Sequence, residues 1–125
     1  MYSGKILLVE DNAGVRTILK TGLELNGYSV QTAINGKIGI ETLQREKDYN
    51  LILLDLMMPV MNGREFLVEV NKHNNLKDIP IIVMTASPDM AAPQNTKDIL
   101  EKPFILKDVL QKVEKWCLPR TETSL

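Results

Sequence analysis

The sequence predicts a doubly wound α/β fold, and three observations carry that reading. Short apolar runs recur at residues 5–9, 28–33, 51–55, 80–84 and, more weakly, 98–101; amphipathic stretches separate them; and Asn, Gly and Pro punctuate the joins. Strand and helix in strict alternation place parallel strands in one sheet, with helices on its faces. The first, third and fourth runs are nearly continuous in apolar residues, as strands covered on both faces must be. Ser29, Gln31 and Thr32 mark the second run as an edge.

The intervening stretches show helical spacing: Val15, Ile18, Leu19 and Leu23 in the first, Ile40 and Leu43 in the second, Phe66, Leu67 and Val70 in the third, Leu106, Val109, Leu110 and Val113 in the last. Asn26-Gly27 closes the first, Asn35 caps the second and Asn62-Gly63 opens the third.

A chain of 125 residues has the length of one domain with a self-sufficient core. Residues 1–117 are expected to form it. Residues 118–125, with Pro119 and Thr121-Glu122-Thr123-Ser124, read as a flexible tail. A net charge of −1 supplies no long-range field for nucleic acid or an anionic membrane, so binding to either is not expected. Apolar runs such as 51–54 are far too short to span a bilayer, and the first residues lead straight into a strand. A cytoplasmic location is the expectation. Cys117 is the only cysteine, which excludes an internal disulfide.

In an open parallel sheet, ligands bind beyond the carboxyl ends of the strands. Glu10 and Asp11 follow the first strand, Asp55 ends the third, Thr85 ends the fourth, and Lys102 follows the fifth. Asp55 interrupts an otherwise apolar octet, where an ionised carboxylate must be compensated. Glu10 and Asp11 cannot compensate it, because clustered carboxylates repel. A hard divalent cation resolves the conflict, and Mg²⁺ favours such oxygens while keeping positions open for phosphate. Lys102 and Thr85 add a positive charge and a hydroxyl donor, completing surroundings suited to a phosphoryl group.

Glu10-Asp11, Asp55-Leu-Met-Met-Pro-Val-Met-Asn-Gly63, Thr85-Ala86 and Lys102-Pro103-Phe104 together resemble the ordered motifs of response-regulator receiver domains, over about residues 5–113. The resemblance implies the flavodoxin-like strand order 2-1-3-4-5, as in single-domain chemotaxis-type receivers. It implies that Asp55 is the nucleophile towards the phosphohistidine of a histidine kinase or histidine phosphotransfer protein. Asp11 and Asp55 would bind Mg²⁺ or Mn²⁺ directly, Glu10 mostly through water, and the Met57 carbonyl would complete the protein ligands, while Thr85 and Lys102 would bind the phosphoryl oxygens. The output would be altered binding to a downstream protein, not turnover of a substrate. A cis Lys102-Pro103 bond is also implied.

Other readings fit less well. An aspartyl-nucleophile phosphatase needs an acid two residues after the nucleophile, where Met57 stands. A flavin or nucleotide binder needs a phosphate loop after the first strand, where an acidic pair stands. His73 has no second ligand at metal-binding spacing, and Cys117 reads as a packed helix end.

One stretch departs from the receiver pattern. Residues 87–98 are short and carry Pro88 and Pro93, so the fourth helix is expected to be reduced to a turn or an irregular helix at 89–92. Ile99 stands where receivers usually carry an aromatic residue.

Overall fold

The computed structural model describes residues 4–56, 61–86 and 96–117. In chain order these form β1 (Lys5–Val9), α1 (Ala13–Leu25), β2 (Ser29–Ala33), α2 (Gly36–Arg45), β3 (Leu51–Asp55), α3 (Gly63–Asn71), β4 (Ile81–Thr85), β5 (Thr96–Glu101) and α4 (Leu106–Trp116). The strands pair in parallel in the order β2-β1-β3-β4-β5, the flavodoxin-like order the motifs implied.

Alternation of side chains explains the two layers. Ile6 and Leu8 of β1, with Leu51 and Leu53 of β3, pack with Leu19 and Leu23 of α1 and Val109 and Val113 of α4. Leu7 and Val9, with Ile52 and Leu54, pack on the opposite face with Ile40 and Leu43 of α2 and Phe66, Leu67 and Val70 of α3. All eight strand residues are fully buried, each contributing roughly 1.5–3 kcal/mol. β1 and β3, two of the three interior strands, therefore support whatever stands at their ends.

Side chains close the helix ends. Asn12, Asn35 and Asn62 accept from the amides of Val15, Ile38 and Glu65, and the Glu65 carboxylate accepts in return from the Asn62 amide. Gly27 follows α1 at φ +100°, a conformation that favours glycine.

The sheet differs from the sequence reading in its margins. Tyr28 precedes β2, its amide bonded to the Leu23 carbonyl at the end of α1. β4 runs one residue later than expected, from Ile81 to Thr85. β5 begins at Thr96, not Asp98: Thr96 pairs with Ile81 and Asp98 with Ile82, so Lys97 is an extra residue in the ladder. The polar Thr96-Lys97-Asp98 gave no apolar run to read. The turn or irregular helix expected at 89–92 lies outside the described residues; among those described, the helix α4 follows β5.

Asp98 also ties α4 to the sheet. Its Oδ1 accepts from Lys112 Nζ at 2.8 Å and from its neighbour's amide, Ile99 N, at 2.9 Å, and its Oδ2 from Trp116 Nε1 at 2.9 Å.

Candidate functional site

The register sets the site. Val9 pairs with Leu54, Asp55 with Met84, and Thr85 with Glu101, so Glu10, Asp55, Thr85 and Lys102 stand at successive positions along one edge. Glu10 continues the row of Ile6 and Leu8, and Asp55 the row of Leu51 and Leu53. Two carboxylates therefore end adjacent rows on one face of neighbouring strands.

The consequence is a crowded acidic cluster. Glu10 is fully buried, Asp55 is 3% exposed and Asp11 is exposed, and one oxygen from each lies within 4.8 Å of the others. Lys102 faces the two buried acids, with Nζ 3.3 Å from Asp55 Oδ1 and 3.8 Å from Glu10 Oε1. Glu10 Oε2 accepts from the Asn12 amide at 3.1 Å, whereas Oε1 has no hydrogen-bond partner among the described residues. Burial pushes the Glu10 carboxyl up to about 7; the Asn12 amide opposes the rise, the neighbouring Asp55 carboxylate adds to it, and Lys102 opposes it.

Glu10 and Asp55 place two buried acids side by side, with the exposed Asp11 next to them. A hard divalent cation fits that donor set, and the unmatched Glu10 oxygen is the atom such an ion would satisfy.

Thr85 is buried at the end of β4, and its carbonyl accepts from the Lys102 amide at 2.8 Å. The backbone thus joins the hydroxyl-bearing residue directly to the lysine. The Lys102–Pro103 peptide is cis, as the motif resemblance implied. The structure brings together Glu10, Asp11, Asp55 and Lys102 and sets Thr85 beside them; Met57 lies outside the described residues.

Two supporting residues escaped the sequence reading. Asn12 caps α1 through its side chain and holds Glu10 through its amide, and the rule for helix N-caps would have found it. Arg16 donates to the carbonyls of Glu10 and Asp11; its partners are main-chain atoms, which leave no trace in a sequence. His73 lies outside any potential metal cluster among the described residues, 3.4 Å from Gln44. Cys117 is buried at the end of α4, and burial pushes its thiol up to about 11.

Among the described residues no helix is long and apolar enough to cross a membrane. Comparison with known proteins gives a consistent picture. The chain is 36% identical over 116 residues to a transcriptional regulatory protein, the CpxR homolog of Haemophilus influenzae, covering 88% of this chain and 48% of that protein. It spans about half the length of the curated relatives it matches. The receiver domain of sensor histidine kinase PA1611 from Pseudomonas aeruginosa, solved with a magnesium ion in its active-site cleft, superposes with a TM-score of 0.82 at 29% identity, over 93% of this chain and 98% of that one. Response regulator TrrA from Thermotoga maritima, in complex with Mg²⁺–BeF, gives 0.80 at 30% identity, over 90% and 98%. The response regulator receiver domain model matches residues 6–114, and the chain belongs to that family.

Proposed function

We propose that this chain is a phosphoacceptor that takes a phosphoryl group on Asp55 from a histidine kinase or a histidine phosphotransfer protein and then binds a downstream protein differently. The observation that carries the reading is the buried Asp55 carboxylate, placed by β3 among Glu10 and Asp11 with Lys102 at 3.3 Å. Glu10, Asp11, Asp55 and the Met57 carbonyl would hold Mg²⁺ or Mn²⁺, which when bound would supply positive charge for phosphoryl oxygens in this acidic pocket.

The chain's own residues do the rest. An Asp55 oxygen forms a bond to phosphorus as the bond from phosphorus to the donor imidazole nitrogen breaks, and the electron pair leaves with the imidazole. The product is a mixed anhydride on Asp55. Lys102 neutralises charge on the phosphoryl oxygens, and the Thr85 hydroxyl donates to one of them. Because the Lys102 amide bonds the Thr85 carbonyl, movement of either residue is transmitted along β4 and β5. Stored as a conformational change, that movement is the signal; the chain is a signalling acceptor and not a turnover enzyme. Residues 1–117 act as the signalling unit, in the cytoplasm.

Incubation with acetyl phosphate and Mg²⁺, followed by intact mass, tests the reading. One added phosphoryl group is expected, and none when a chelator is present. No addition in the presence of Mg²⁺ contradicts it.

A further inference from the structure

Resting on the proposed metal-dependent function, we infer that Arg16 is the positioning residue that holds the acidic loop in place for the divalent cation. Glu10, Asp11 and Asn12 join β1 to α1 and carry two of the three clustered carboxylates. Like charge pushes these carboxylates away from Asp55 until a cation arrives. Something must hold the loop against that repulsion.

The main chain does part of this. The Glu10 amide donates to the Ala33 carbonyl on β2 at 3.0 Å, and the Asn12 carbonyl accepts from the Arg16 amide at 2.9 Å. The two carbonyls between these anchors point to the Arg16 side chain: Nη1 donates to Glu10 O at 2.9 Å and to Asp11 O at 3.3 Å. A single guanidinium nitrogen carries two hydrogens, so it bridges successive carbonyls. Arg16 is half-buried, and among the described residues it forms no ion pair with a carboxylate. Its hydrogen bonds are committed to the backbone of the residues that bear the carboxylates. Partners that orient metal ligands from behind govern metal affinity without touching the ion.

Mg²⁺ binding measured by calorimetry separates this role from a general effect of charge. Arg16→Gln is expected to weaken Mg²⁺ binding about ten-fold, the low end for residues that support metal ligands. Arg16→Lys keeps the charge and a donor nitrogen but loses the guanidinium's fixed planar geometry, and is expected to lose less, about three-fold. Lys20→Gln removes a cation one turn further along α1, where it pairs with Glu24, and should leave the affinity unchanged. Affinity for Arg16→Gln within two-fold of the parent overturns the assignment, as does an equal loss in Lys20→Gln. If circular dichroism shows Arg16→Gln to be unfolded, Arg16→Lys carries the test, and equality with the parent overturns it. A parent that binds no Mg²⁺ sinks the proposed function as well; a parent that binds normally beside an unaffected Arg16 variant sinks only the positioning role.

Discussion

Asp98 and Glu10 are carboxylates of the same parallel sheet, one on β5 and the other just beyond β1, and their surroundings differ in kind. Around Asp98 both oxygens are engaged, by Lys112, Trp116 and the Ile99 amide. Burial raises its pKa, but those hydrogen bonds outweigh burial and hold the carboxyl below its ordinary value. Glu10 is fully buried, shares one lysine with Asp55 and keeps one oxygen unmatched among the described residues. Burial pushes it up to about 7. Around Asp98 the fold supplies a partner to each carboxylate oxygen, and at Glu10 one oxygen has no hydrogen-bond partner among the described residues. Along the flank of the sheet an acid is a clamp; at the carboxyl ends, acids are gathered into a donor set that could hold a cation.

The difference can be broken first at its centre. Asp55→Asn keeps the shape of the side chain but removes the nucleophile and a charged metal ligand. Phosphate uptake from acetyl phosphate should fall to background while circular dichroism stays that of the parent. Uptake at the parental level would contradict the role of Asp55.

Removing one acid from the open end gives the next largest effect. Asp11→Asn relieves repulsion, so the metal-free protein should unfold at a higher temperature while Mg²⁺ affinity falls by about ten-fold or more. Unchanged affinity would count against the pocket as described.

The closed end responds differently. Asp98→Asn weakens the hydrogen bonds from Lys112 and Trp116 and, allowing for partial exposure, should cost about 1 kcal/mol, lowering Tm by several degrees with Mg²⁺ affinity unchanged. The smallest effect is its pH dependence. Because the folded pKa of Asp98 is depressed, its stabilisation is present above the ordinary value of 3.8 and is lost as pH falls through the folded value. Parent and Asp98→Asn should therefore differ most in denaturant midpoint near neutrality and converge in strong acid; a difference that stays constant with pH would separate the clamp from its charge.

The same contrast explains what a reader of the sequence could see. The apolar octet broken by Asp55, the pair Glu10-Asp11 and the ordered Thr85 and Lys102 were legible because chemistry at strand ends departs from the pattern of a buried strand. The central strands were legible for the same reason in reverse. The start of β5 was not: Thr96-Lys97-Asp98 is polar, and its place in the ladder depends on pairing with Ile81 and Ile82 and on an Asp98 clamp whose partners lie 14 and 18 residues away. Arg16 was hidden because its partners are carbonyl oxygens, which every residue carries.

If the acidic end of the sheet is electrostatically incomplete until a divalent cation binds, the stability of the fold depends on that cation. Unfolding free energy with and without Mg²⁺ tests it most directly. At about a hundred times its Kd, Mg²⁺ should stabilise the parent and Asp98→Asn alike by about 2.7 kcal/mol, and Asp55→Asn by far less. A parent whose stability is indifferent to Mg²⁺, or an Asp55→Asn variant that gains as much as the parent, would contradict the account.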